Sequence, residues 1–239
     1  MSQHHAARRP ALPTRARSDA AKEARRAALL GAARAVLADR PFAALTIDAV
    51  AREAGLAKGT VFLYFATKET LGLAVLEELL DEWFDALDSR LSALRPPVAA
   101  PRVAAAIVRV TVERPLLVDL LVLLGPLLEQ NVPRAAAEAF KARVLVRTIQ
   151  LGAAFERVLP ALAPNEGARL CLIVNALVTG VHQMAVPAPV IAQILADEQF
   201  APLRVDFAAT LEHALTCHLL GLERRATTTT SARAARRST

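Results

Sequence analysis

Three observations predict an all-α chain. The sequence is rich in alanine and leucine and poor in the alternating β-branched patterns of strands. Apolar residues recur at helical spacing along most of its length. The breaks between these stretches are proline clusters of the kind that end helices: RPPVAAP at 95–101, LPALAP at 159–164, and a segment marked by Pro187 and Pro189. At 239 residues there is room for one domain, or two packed together, with a sizeable core.

Residues 1–19, MSQHHAARRPALPTRARSD, are polar, basic and broken by two prolines, which predicts a disordered arm. Arg15 and Arg17 stand just ahead of the first helix, where an arm could enter a minor groove. That helix is expected from Ala20 to about Asp39, with Ala27, Leu30, Ala33 and Leu37 facing inward. Lys22, Arg25 and Arg26 crowd its first turns, where the helix dipole disfavours cations; nearby phosphate explains them better than helix stability does. Pro41 and Phe42 then turn the chain.

The stretch Thr46–Leu71, TIDAVAREAGLAKGTVFLYFATKETL, reads as two short helices joined at a glycine and followed by the start of a third. Ile47, Val50, Ala51 and Ala54 form one apolar stripe, Thr46 is placed to cap the first turn, and Gly55 suits a left-handed C′ position. The second helix, about Ala57 to Phe65, turns Val61 and Phe65 inward. That leaves Lys58, Gly59, Phe62 and Leu63 on the opposite side, with Thr60 and Tyr64 on the flank. A helix laid in a DNA major groove accounts for this surface. Phe62 and Leu63 would meet thymine methyls, Gly59 would let the backbone come close, and Lys58 would reach guanine or phosphate. Thr60, Tyr64 and Lys68 would hold phosphates, with Thr67 capping the third helix. An ordinary helical hairpin, its outer apolar residues packed on the rest of the chain, fits the spacing too.

AREAGLAKGTVFLYFATKETL resembles the helix-turn-helix signature of the TetR (tetracycline-repressor) family of bacterial transcriptional regulators, and the similarity runs from about Ala20 to Val75. Three positions depart from the family pattern: Ala57 stands for the usual serine, Phe62 for tyrosine and Pro41 for glycine. The first two remove hydroxyls, from a helix cap and from one phosphate contact. The resemblance implies an N-terminal three-helix helix-turn-helix unit joined by a long helix to an antiparallel helical ligand-binding and dimerisation domain. The expected boundaries are 1–19 for the arm, 20–66 for the DNA-binding domain, 67–222 for the second domain and 223–239 for a disordered, low-complexity basic tail.

Within the second domain a long helix is expected over about Thr67–Leu94, with Leu71, Val75, Leu79, Trp83 and Leu87 inside. Further helices are expected at 102–113, at 116–129 with an interruption at Pro126, at 133–159 with Phe140, Val144, Leu151 and Phe155 inside, at 165–185, at 190–196 and at 203–222. The family usually pairs its last helices across a two-fold axis, which implies an interface through Ile173, Leu177, Val181, Phe207, Leu211 and Leu215. Packing within one subunit would also use these faces. Cys171, Asn175, Thr179 and His182 draw a polar line along an apolar helix, and buried polar groups need partners. They either orient a small molecule in a pocket walled by Trp83, Leu87, Leu120, Leu124, Phe140 and Val144, with Glu129 beside it, or bond across an interface.

The net charge of +6 is uneven: residues 1–40 carry nine Lys/Arg against three Asp/Glu, and 223–239 carry five against one, leaving an acidic middle. Basic ends on an acidic body fit a polyanionic partner. Cys171 and Cys217 indicate neither a disulfide framework nor a metal site, and the absence of an apolar leader fits a cytoplasmic protein. Leu116–Leu128 is too short to span a membrane. No nucleophile–base set, phosphate-cradling loop or metal spacing marks an enzyme, and no cofactor is implied. The expected partners are a double-stranded DNA operator, a second copy of the chain and a small-molecule effector of unknown identity. The expected action is a ligand-released repressor. A regulator without inducer, an activator and a protein-binding adaptor stand as alternatives.

Overall fold

The computed structural model describes the backbone of residues 14–235 and the side chains of residues 19–226. Their regular elements are all helical, with no strand among the described residues. Of the arm expected at residues 1–19, residues 1–13 lie outside the described residues, as do the side chains of Arg15 and Arg17, and residues 14–19 are helical instead. The chain forms two compact units, Met1–Leu71 and Gly72–Thr239.

In the first unit α1 (Thr14–Ala38) packs on α2 (Ile47–Glu53), and α2 on α3 (Lys58–Phe62). Helix α1 begins six residues before the expected start, because the alanine- and arginine-rich segment ahead of Ala20 contains no proline after Pro13 to stop it. Its inner face is Leu29, Leu30, Ala33 and Leu37; Ala27, expected inside, is exposed. These residues close a small core with Phe42, Leu45, Val50, Ala51, Val61 and Phe65, each at most 5% exposed.

The second unit takes in most of α4 (Lys68–Ser92), then α5 (Ala100–Val112), α6 (Pro115–Leu123), α7 (Arg134–Val158), α8 (Glu166–Ala185), α9 (Pro189–Ala196) and α10 (Phe207–Ala235). Leu71, Val75, Leu79, Trp83 and Leu87 are buried along α4 as the periodicity predicts. Pro126 does not merely kink a helix: α6 gives way to one π-helical turn, Leu124–Leu128, and a 3-10 turn, Glu129–Asn131. A proline with no N–H to give is accommodated by this wider turn. Helices α7 and α8 run antiparallel and in close contact, since an added Cβ on Gly167 would stand 2.0 Å from the Gly152 carbonyl oxygen.

Helix α10 differs most from expectation. It starts at Phe207 and continues to Ala235, past the Leu222 end and through much of the segment expected to be disordered. Leu222–Ala235 holds no glycine or proline, so nothing in the backbone stops a helix already begun. Leu211, Leu215 and Leu219 on α10, and Val181 on α8, are 0%, 0%, 1% and 8% exposed within the single chain, where α10 packs on α5 and α8. This corrects the expected interface: Leu211, Leu215 and Val181 belong to the subunit's own core. Helix α8 is long and apolar enough to cross a membrane. One of its faces, Leu170, Cys171, Val174 and Val178, is nonetheless buried in the helical unit.

Candidate functional site

The geometry of the first unit starts from its caps. The Thr46 hydroxyl accepts from Ala49 N at 3.1 Å, fixing the start of α2. At the other end Gly55 adopts φ +64°, Leu56 N bonds Ala51 O at 2.9 Å and Gly55 N bonds Arg52 O at 3.2 Å. These two bonds form a Schellman motif, and a side chain at Gly55 would be strained by the left-handed backbone. The sharp turn delivers Ala57, whose side chain makes no capping bond, as the N-cap of α3.

Helix α3 is shorter than the expected Ala57–Phe65. After Phe62 the backbone tightens, with Leu63 N bonded to Thr60 O at 3.2 Å and Tyr64 N to Val61 O at 3.0 Å. Its facing follows the periodicity. Val61 and Phe65 are 0% and 3% exposed, while Phe62 and Leu63 on the other side are 47% and 82% exposed. Lys58 and Gly59 lie on that open side, with Thr60 and Tyr64 half-buried on the flank. An added Cβ at Gly59 would meet nothing within 4 Å, and its φ is not positive. No contact within the chain therefore accounts for a residue that weakens a helix by about 1 kcal/mol.

Two of the expected phosphate-seeking cations already have partners. Lys58 Nζ lies 2.9 Å from Asp48 Oδ2, an exposed pair linking α3 to α2. Lys68 Nζ donates to Ala43 O at 3.4 Å and sits 5.4 Å from the centre of the Phe42 ring, while Thr67 caps α4 by accepting from Thr70 N at 3.1 Å. That Asp48 holds Lys58, and the Ala43 carbonyl Lys68, was not foreseen from the sequence. Only a charge of opposite sign ten residues away could have pointed to Asp48, and nothing marked a backbone carbonyl as the seat for Lys68.

The second unit contains a cavity of about 170 Å³. Of the residues expected to wall a pocket, Trp83, Leu124, Phe140, Val144 and Asn175 line it. Leu87 and Leu120 do not: they are 0% and 1% exposed and belong to the surrounding core, and Leu121 takes the place assigned to its neighbour. Thr179 is also absent from the wall, its hydroxyl donating to Asn175 O at 2.9 Å. His182 leaves the polar line as well, with Nε2 3.0 Å from Asp119 Oδ1 and its ring edge-on to Phe207 at 5.7 Å. Glu129 is engaged by Lys141 Nζ at 2.5 Å. Nothing in the periodicity marked Lys141, Thr148 or Thr111 as wall residues, since polar positions escape an apolar pattern. Leu80 and Phe84 could have been found, lying within one turn of Trp83 on the same helix.

Three polar side chains of the wall find partners within the chain. Trp83 Nε1 donates to Thr111 Oγ1 at 3.1 Å, and Thr111 Oγ1 donates to Ile107 O at 2.8 Å. Cys171 Sγ lies 3.8 Å from Thr148 O, and burial pushes its thiol up to about 12. It is a protonated wall group rather than a nucleophile.

Of the residues expected at a dimer interface, Ile173 is 38% exposed and Leu177 and Phe207 are half-buried. Met184, 61% exposed, and Gly180, where an added Cβ would meet open space, continue the Ile173–Leu177 stripe along α8.

Residues 29–75 match the family described as bacterial regulatory proteins, tetR family, and residues 77–226 match the tetracyclin repressor-like C-terminal domain. No curated protein matches the sequence. Among solved structures, a protein described as a TetR-family transcriptional regulator from Mesorhizobium loti superposes with a TM-score of 0.52 at 15% identity, covering 84% of this chain and 95% of the other. A tetR-family regulator from Streptomyces coelicolor gives 0.50 at 18% identity, with 89% and 86% covered. A transcriptional regulator from Rhodococcus sp. Rha1 gives 0.50 at 18%, with 83% and 96% covered. At these identities the likeness concerns the fold.

Proposed function

Because the chain belongs to the TetR family, and is thus a DNA-binding transcriptional regulator, we propose that it acts as a homodimeric repressor that a small molecule releases from its operator. The observation that carries the DNA-reading part is the outer face of α3, where Phe62 and Leu63 stand exposed beside a glycine that no packing requires. In this reading Phe62, Leu63 and Gly59 approach base edges. Lys58 exchanges Asp48 for guanine or phosphate, and Thr46, Thr60, Tyr64 and Lys68 fix the register on the backbone.

A dimer supplies the two-fold symmetry that a palindromic operator needs, with reading helices one helical turn of DNA apart, about 34–36 Å, or a multiple of it. The apolar stripe of Ile173, Leu177, Gly180 and Met184 is the surface we assign to it. The effector would occupy the cavity and bear on α4, which supplies Leu80, Trp83 and Phe84 to its wall. Coupling of this kind is typically about 1–3 kcal/mol and reciprocal, so operator DNA must weaken the effector by the same factor.

The test uses DNA from upstream of the chain's own gene. Gel shifts should show saturable binding that weakens steeply with salt, and transcription in vitro from that fragment should fall when the protein is added. A rise in transcript would make the protein an activator. Binding indifferent to both salt and sequence would remove the DNA-reading role assigned to α3.

A further inference from the structure

The chemistry of the cavity in the second unit specifies what it takes. Its wall presents three aromatic rings, Trp83, Phe84 and Phe140, with Trp83 and Phe84 edge-to-face at 5.3 Å. Most polar atoms that could orient a charged guest are already spent, and the exposed Asn175 amide is the neutral group left on the wall. The indole N–H goes to Thr111, the Thr111 hydroxyl to Ile107 O, and the Cys171 thiol to Thr148 O. At the edge of the cavity Lys141 is held by Glu129 at 2.5 Å and is 59% exposed, so its charge is both neutralised and hydrated. A carboxylate brought inside would lose its water and find at most the neutral amide of Asn175, a cost far larger than a single apolar contact returns.

Size narrows the choice further. An apolar cavity of about 150 Å³ is known to stay dry and accept benzene, whereas drug-sized ligands occupy roughly 300–1,000 Å³. At about 170 Å³ the space matches a single ring with a small substituent. Leu172, 65% exposed and part of the wall, marks where it meets the surface. We propose that the cavity binds a compact, uncharged, apolar molecule of single-ring size, an aromatic hydrocarbon in the first instance. The proposal rests on reading the second unit as the effector-binding part of a ligand-released regulator, and it names the class of that effector.

The chain carries one tryptophan, and it lines the cavity, so the emission of Trp83 reports occupancy directly. Toluene titrated into the full-length protein should change that emission saturably. Benzoate, the same ring with a charge, should bind at least about tenfold more weakly. Val174→Phe, at a buried wall position, should abolish saturation while the protein stays helical. Should that variant unfold, Leu121→Phe at a half-buried wall position serves instead. Benzoate binding as tightly as toluene, toluene binding undiminished in a folded cavity-filling variant, or no saturable response to toluene would each overturn the proposal. Gel shifts with the upstream DNA separate this from the broader reading. A protein that binds DNA and ignores toluene refutes the ligand class alone. Toluene binding that leaves operator affinity untouched refutes release and leaves the cavity assignment standing.

Discussion

Replacing Gly167 by alanine probes the contact that builds the cavity. The new methyl would stand 2.0 Å from Gly152 O, 2.7 Å from Gly152 C and 2.9 Å from Gly152 Cα. A carbon needs about 3.4 Å from a carbonyl oxygen, so α7 and α8 would have to separate by more than about 1 Å. Because the opposing atoms are backbone, no side chain can swing aside. A gap of that size forfeits between a quarter and a half of each dispersion contact it opens. Leu151, Phe155, Leu170 and Val174, all buried on these two helices, are exposed to that loss. Overpacking costs about 1–3 kcal/mol, and the upper end applies against rigid backbone. Alanine's helix propensity returns about 1 kcal/mol. The net of about 2 kcal/mol should lower Tm by roughly 4–8 °C in a chain of this size. Thermal circular dichroism measures it, and toluene binding should weaken in parallel because Thr148 and Cys171 part. Gly180→Ala is the control. Its Cβ meets open space within the chain, so a monomer should gain up to about 1 kcal/mol. A partner helix seated on that stripe would instead make the same change weaken the dimer. An unaltered Tm for Gly167→Ala would refute the close crossing and the cavity geometry derived from it.

Asp48→Asn should tighten binding to all DNA sequences by up to about fivefold at low salt, the range of an exposed ion pair. Anisotropy titrations should show that gain vanish in a Lys58→Ala background, and an additive effect would separate the two residues. Phe62→Ala should shift base preference by about 1–3 kcal/mol at one position per half-site. Selection from random DNA that returned an unchanged site would place Phe62 off the bases. Ile173→Glu with Met184→Glu should give helical monomers by sedimentation, whereas Leu215→Glu should unfold the subunit, since Leu215 is 0% exposed within it. Cys171 should resist alkylation at pH 8 in the folded protein and react after unfolding, as mass spectrometry can show, because burial keeps its thiol protonated up to about 12.

What the sequence determined by itself was local. Thr46, Gly55 and Thr67 act within three or four residues of themselves, so their roles as caps and turn could be read before any fold was known. The opposition of Val61 and Phe65 to Phe62 and Leu63 was legible for the same reason: a helix with one polar-flanked apolar stripe has one way to face a core. Helices apolar on several sides offered no such choice. On α6, Leu120 and Leu121 are equally apolar, and only the position of α8 decided that Leu121 meets the cavity while Leu120 meets the core. On α10 the stripe of Leu211 and Leu215 could have faced a partner or its own subunit, and packing on α5 and α8 settled it inward. Polar wall residues such as Thr111 and Lys141, and the seat of Lys68 on a carbonyl twenty-five residues earlier, exist only once distant segments meet. Periodicity records which face a residue shares with its helical neighbours. Which element that face meets is set by contacts far apart in sequence, and those belong to the tertiary structure.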